Sequence, residues 1–387
     1  MERYSNFRGQ ALLFLFFLWF IWFINFSVRM VFSPILPIIE DEFLINHARA
    51  SSIFIFLSAG YALGVIVSGL FSGKIGYKKS IIFALVMISS VAFLIPLAHN
   101  FFLLYLFAFV VGFSVGLYVP SVIPLITEYY AEKNWGKAIS IHDTGAAAGI
   151  LATPLIALFL LNFFPWRGIF VVFACVFLAC SVVFFFVSTE VRINNPPKAT
   201  FKDIIKIRSL WLMAILWIFS MGANLGIYSI VPLYLTKELN LTIGYANTVL
   251  SISRFGSVIM AVACGFLIDR FNLRKVMFLV MIITGVLVVM MGLTSVKYIG
   301  IVLFLQASFV TGFFPIGLVA IAKTFNREMR SLAMGIILAV SNIFGSGITP
   351  YLLGVSGDVH SFRLGIVILG IFVALASTLV FRLRELE

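Results

Sequence analysis

Residues 69–80 read GLFSGKIGYKKS and residues 265–276 read GFLIDRFNLRKV. Each stretch follows the second of six apolar segments, and the two lie half a chain apart. A short basic loop opened by glycine and repeated at that distance marks a duplicated six-segment unit. The rest of the chain aligns at an offset of about 195: Pro37 on Pro232, Gly69 on Gly265, and GILATP (149–154) on GSGITP (345–350). Six spans per half make both halves run through the membrane in the same direction. The repeats are therefore parallel, related by a pseudo-two-fold axis along the membrane normal, which is the construction of a secondary transporter.

Composition sets the solvent. The chain is 62% hydrophobic and 11% charged, whereas a soluble protein has about a quarter of its residues charged. Twelve spans of roughly 20 residues or more account for the excess, at 11–39, 50–72, 80–98, 101–127, 137–161 and 168–189, then 210–235, 245–268, 276–295, 298–322, 332–355 and 364–382. The expected fold is all-α and membrane-embedded, with twelve transmembrane helices in two six-helix bundles, 1–189 and 209–387. The polar, basic segment 190–208 (EVRINNPPKATFKDIIKIR) reads as a cytoplasmic linker. The first apolar stretch has no small-residue cleavage site and is expected to stay as span one.

The net charge of +12 is a topology signal rather than a nucleic-acid signal. Of the 27 lysines and arginines, 20 fall on one side of these spans and five on the other. The positive-inside rule puts the 20, and both termini, in the cytoplasm. Cys175, Cys180 and Cys264 lie within apolar spans and carry neither a disulfide framework nor metal-type spacing.

On these loops and spans the chain resembles the major facilitator superfamily over essentially its whole length. The family's loop between spans two and three runs G-x-L-a-D-r-x-G-r-[KR]. The first copy keeps Gly69, Gly76, Lys78 and Lys79 but has Gly73 in place of Asp. The second keeps Gly265, Asp269, Arg270, Arg274 and Lys275 but has Asn272 in place of the second Gly. The resemblance implies that Asp269 and its neighbours lock the outward-open state, mainly through the second copy. Physically, loop cations suit anionic headgroups and the C-termini of neighbouring helices.

Three ionisable residues fall inside spans: Arg29, Asp143 and Arg254. A charge at membrane depth costs about 2.5–3.5 kcal/mol on insertion scales and is kept where it meets water, a partner or a ligand. Arg29, followed by Pro34 and Pro37, and Arg254 each lie about ten residues from the outer end of their spans. Their repeat mates are Asn224 and Ser58. Two guanidiniums at one depth suit an anion's oxygens; the bland reading pairs each with helix carbonyls. Asn224 and Tyr228, one turn apart, and Tyr118 of span four are candidate cavity residues. Asn247, Gln306 and Asn342 read as helix–helix contacts. Asp143, beside His142, has two open readings: an acid near a helix start paired with loop cations such as Arg270, or a proton carrier with His142. Gly60-xxx-Gly64, Gly112-xxx-Gly116 and Gly145-xxx-Gly149 read as helix-packing sites.

The expected activity is secondary active transport of a small organic anion, a carboxylate foremost, by alternating access. Arg29, Arg254, Asn224, Tyr228 and Tyr118 are the expected substrate-binding residues. His142, Asp143, Asp269, Arg270, Gly69, Gly76 and Lys78 are the expected coupling and gating residues. The alternative is a multidrug-type exporter of hydrophobic or cationic compounds, which needs a central acid. No enzyme constellation, cofactor or metal set is visible, and no nucleic-acid partner is implied. Membrane lipids and a co-transported proton or counter-anion are the expected partners of a monomer in a prokaryotic inner membrane.

Overall fold

In lipid every backbone polar group must be satisfied within the protein, so the apolar segments can cross only as helices. The computed structural model describes residues 4, 7–190 and 204–386. The side chains of Gly69, Leu70, Val258, Val262, Gly265, Asp269, Arg327, Glu328, Ser331 and Arg384 are outside that description. Among the described residues, twelve helices are long and apolar enough to cross a membrane. They are α1 (Gln10–Phe43), α2 (His47–Ser68, continuing as helix to Ile75), α3 (Tyr77–Leu97), α4 (Phe101–Tyr129), α5 (Glu132–Leu161) and α6 (Trp166–Val187). The second set is α7 (Arg208–Glu238), α8 (Ile243–Ile268), α9 (Leu273–Leu293), α10 (Val296–Thr324), α11 (Leu332–Val359) and α12 (Phe362–Arg382). The chain is thus a multi-pass integral membrane protein. The linker expected over 190–208 falls mostly on 191–203, outside the described residues.

The helices gather into two compact units, Met1–Phe32 with Phe56–Pro196 and Ser33–Ile55 with Pro197–Glu387. In the first unit, glycine lets backbones touch. A Cβ at Gly60 or Gly64 of α2 would run into the carbonyl oxygens of Phe109 or Phe113 on α4. Gly112 and Gly116 of α4 face the carbonyls of Leu57 and Tyr61 in return. Between α1 and α5, a Cβ at Gly145 would lie 2.6 Å from the Trp19 oxygen and one at Gly149 2.8 Å from the Phe23 oxygen. Without a hydrophobic drive between helices in lipid, such close van der Waals approach is what holds them.

The basic loops close the ends of each unit. Lys78 Nζ donates to the carbonyls of Phe185 and Ser188 at the end of α6. Arg274 does the same for α12, donating to the carbonyls of Val380 (3.3 Å) and Phe381. Both cations satisfy orphan carbonyls at the negative end of a helix dipole. The departure between the two loop copies has a backbone reason. Gly76 sits at φ 90°, where only glycine is unstrained. Asn272 sits at φ −60° and caps α9 instead, its side-chain oxygen accepting from the amides of Arg274 (3.0 Å) and Lys275 (3.3 Å).

The second unit takes in Ser33–Ile55, the end of α1, the connection and the start of α2, which the sequence assigned to the first bundle. Named contacts account for this. Ser33 Oγ donates to the Tyr228 carbonyl at 2.7 Å, and Asn247 Nδ2 donates to the Pro34 carbonyl at 3.3 Å. The Asp358 carboxylate accepts the free amides of His47 and Ala48, at 2.9 Å each, at the start of α2. Glu40 pairs with His47 Nδ1 at 2.8 Å and Lys237 at 3.7 Å, and Lys237 also pairs with Asp41. Gly354 of α11 lets the helix start come close, since a Cβ there would sit 2.7 Å from the His47 oxygen.

Overpacking a tight contact costs about 1–3 kcal/mol, and more where the obstacle is backbone. Gly112→Val should therefore markedly lower the melting temperature of detergent-purified protein. Gly136→Ala, which meets nothing within 4 Å, should leave it unchanged. Equal melts for the two variants would contradict the α2–α4 contact.

Candidate functional site

Both intramembrane arginines sit where their helices break. The regular part of α1 ends at Met30, with Arg29 in its last turn, and helix resumes at Phe32. Pro34 and Pro37 lie just beyond; proline has no N–H to give the ladder, so the break is written in the sequence. In α8 the helix stops at Ser253 and restarts at Phe255, with Arg254 at the discontinuity. A broken helix leaves backbone groups and a cationic side chain at membrane depth without lipid contact.

The second-unit site is built on α7 and α8. Between Gly222 and Gly226, α7 widens into a π-type turn centred on Asn224; such turns recur at functional positions. Gly222 and Gly226 face Thr349 and Gly345 on α11, which carries its own π-type stretch over Asn342–Ile348. Arg254 is 4% exposed. Its Nη1 donates to Asn224 Oδ1 at 2.6 Å and its Nη2 to the Asn224 carbonyl at 3.3 Å. Its guanidinium carbon lies 4.9 Å from the centre of the Tyr228 ring, within cation–π range. The third donor, Nε, is buried without a partner. The Arg254, Asn224 and Tyr228 of the sequence reading therefore form one cluster. Among the described residues that cluster offers Arg254 only neutral groups.

Gln306 and Asn247 behave as helix contacts. Gln306 Nε2 donates to the Ala223 carbonyl at 2.7 Å, and Asn247 reaches Pro34. Asn342 instead bonds back to Leu338 on its own helix at 3.0 Å.

In the first unit, Arg29 is 3% exposed and its guanidinium carbon lies 4.3 Å from the centre of the Tyr61 ring. The two units thus use one motif with the partners exchanged. Arg29 is on the first helix of its pair and the tyrosine on the second; in α7–α8 the tyrosine comes first. Tyr61 was not picked out by sequence, because a tyrosine in an apolar run carries no signal of its own. Its place opposite Arg29 depends on the α2–α4 glycine contact that fixes α2.

Tyr118 and His142 come together behind this. Tyr118 Oη lies 3.3 Å from His142 Nε2 and 3.2 Å from the Leu18 carbonyl, and both rings stack on Trp22. Tyr118 is fully buried, with its hydroxyl on His142 and the Leu18 carbonyl and its ring on Trp22. His142 Nδ1 has no partner. Asp143 is exposed along α5, and its carboxylate approaches the Trp22 indole and lies within electrostatic reach of Tyr61. That indole N–H closes no hydrogen bond of good geometry. Of the loop residues, Gly76 and Lys78 pack on the end of α6, and Arg270 is exposed at the end of its helix. The side chains of Asp269 and Gly69 lie outside the described residues.

The stack gives a graded expectation. Tyr118→Phe removes hydrogen bonds of about 1 kcal/mol net each and should lower the melt slightly. Tyr118→Ala also removes the ring on Trp22, at about 3–5 kcal/mol, and should lower it far more. Identical melts would show that the ring does not hold this cluster.

Comparison with known proteins agrees with this architecture. The sequence profile described as Major Facilitator Superfamily matches residues 18–253 and 218–387. The chain is 20% identical over 316 residues to an uncharacterized MFS-type transporter, YceJ, of Bacillus subtilis, covering 80% of each. It is 21% identical over 341 residues to the gentisate transporter of Corynebacterium glutamicum, covering 84% of this chain and 76% of that one. Among solved structures, a bacterial homolog of the human lysosomal transporter Spinster superposes with a TM-score of 0.82 at 16% identity, covering 98% of both chains.

Proposed function

The chain belongs to the major facilitator superfamily, and from that premise we propose that it is a secondary carrier of a small organic anion, foremost a carboxylate. The observation that carries this reading is the buried Arg254, whose partners among the described residues are the Asn224 amide, the Asn224 carbonyl and the Tyr228 ring. A buried guanidinium without an opposite charge is costly, and Nε is still open. A carboxylate can take Nε and Nη1 as a bidentate acceptor, displacing the Asn224 oxygen and supplying the missing charge. Arg29, over Tyr61, offers the second guanidinium, and the proposed cycle asks the anion to recruit both. Neutralising the cations lowers the cost of closing the site away from water, which couples binding to alternation around a fixed site. The name of the gentisate transporter, an aromatic carboxylate carrier, points the same way.

The coupling mode follows from which groups are used. Exchange of one anion for another needs no titrating group, whereas proton symport draws on His142 or Asp143. We place the protein in a prokaryotic inner membrane with cytoplasmic termini, on the distribution of its lysines and arginines.

In reconstituted vesicles, Arg254→Gln and Arg29→Gln should each abolish carboxylate uptake while the protein stays monodisperse. In wild type, an acid present at 100 times its dissociation constant should add about 2.7 kcal/mol of stability, read as a raised melt that both variants lose. Substantial uptake by both variants, or a melt raised by lipophilic cations and by no anion, would overturn the reading in favour of an exporter. In a symporter, Asp143→Asn or His142→Gln should remove pH-driven uptake and spare anion exchange; intact pH-driven uptake in both variants takes these two residues out of coupling, and a wild type without pH-driven uptake is an exchanger.

A further inference from the structure

Trp22, Asn25 and Arg29 lie at three- and four-residue spacing on one face of α1, rising about 4.5 Å and then 6 Å along the axis. Asn25 is fully buried, and neither its amide nitrogen nor its oxygen has a hydrogen-bond partner. The Trp22 indole N–H, one turn further, is buried and closes no hydrogen bond of good geometry, with the Asp143 carboxylate on its approach. The ring that carries it is held in place by Tyr118, whose centroid lies 5.5 Å away, and by His142 at 5.7 Å.

Other asparagines at membrane depth show how unusual this is. Asn224 holds Arg254, Asn247 reaches a carbonyl across helices, and Asn342 returns to its own helix. A buried polar group left unsatisfied is destabilising, and native proteins keep few of them. Here three unsatisfied atoms line up beside a cation. Leucine has the branched shape of asparagine without that cost, so packing alone gives no reason for the amide.

We propose that Asn25 and the Trp22 N–H form a polar subsite that recognises a neutral oxygen, a hydroxyl or keto group, on the anion whose carboxylate Arg29 holds. The proposal rests on the anion-carrier reading. The row supplies N–H donors from both residues and one acceptor oxygen from Asn25, which matches a hydroxyl group. It supplies no second cation, so a second carboxylate at that position is disfavoured by the cost of an uncompensated charge. The substrate class is therefore a monocarboxylate with an oxygen function about one helical turn, or roughly 5–6 Å, from its carboxylate. Aromatic side chains at Trp22, Phe26 and Tyr61 fit a planar acid of this kind.

Binding of two matched probe pairs to purified full-length protein tests it: benzoate against 3-hydroxybenzoate, and butyrate against 4-hydroxybutyrate. The wild type should prefer a hydroxylated member about tenfold in at least one pair, the scale of one well-made hydrogen bond. Asn25→Leu should bring that ratio near one, and Trp22→Phe, which keeps the ring, should reduce it partly. The ligand-free melt of Asn25→Leu should equal or exceed that of wild type. Arg254-dependent binding of the parent acids with no hydroxyl preference leaves the carrier reading standing and overturns the subsite. Binding of none of the four acids overturns both. A lowered melt in Asn25→Leu with the preference kept makes Asn25 a structural amide, held by enclosed water, and overturns the subsite alone.

Discussion

A guanidinium at membrane depth must be answered by something, and much of the second unit is arranged around answering Arg254. The answer comes from one residue twice, through the side chain and the carbonyl of Asn224. The widened turn of α7 holds that residue at its centre. The wide turn in its turn depends on Gly222 and Gly226, because α11 stands against α7 where any Cβ would meet Thr349 or Gly345. A single electrostatic requirement thus propagates into helix geometry, glycine placement and the choice of neighbour.

The duplicated scaffold and the site obey different rules. Lys78 and Arg274 occupy equivalent places and perform the same act, closing the carbonyl end of the last helix in their repeat. The residues of the proposed site break the equivalence, since Arg29 corresponds to Asn224, an amide. Stability selects the same contacts in both copies because both copies bury the same kind of surface. A ligand that is not itself two-fold symmetric selects against sameness.

The twelve spans were legible because lipid leaves so few ways to satisfy a backbone, and their edges moved by only a few residues. Arg29 and Arg254 were legible by cost, as charges that no apolar run keeps idly. Asn224 and Tyr228 were reached through the repeat offset and the four-residue spacing. Tyr61, Trp22 and Asn25 were not, since aromatic and single amide residues are common in spans. Their meaning comes from which helix stands opposite, and that is set by glycine contacts far from them in sequence. Tyr118 was read as lining a cavity; the contacts it makes, with Leu18 and His142, come from helices that no spacing rule names. The assignment of Ser33–Ile55 was hidden for a related reason. Hydropathy marks where a helix crosses, and the partners of its end are written in the hydrogen-bonding side chains of other helices.

That segment also has a history in time. His47 and the carboxylate that caps it, Asp358, are separated by 311 residues. At about 5–20 residues per second of synthesis, the cap emerges roughly 15–60 s after the helix start it serves. Through that interval the connection between the first two spans has no native partner from α7, α8 or α11. It waits as a charged stretch carrying Glu40, Asp41, Glu42 and His47, a composition that tolerates water and resists premature burial. The last contacts of the N-terminal hairpin are therefore made only when almost the whole chain exists, so a ribosome that stops early leaves this hairpin unfinished.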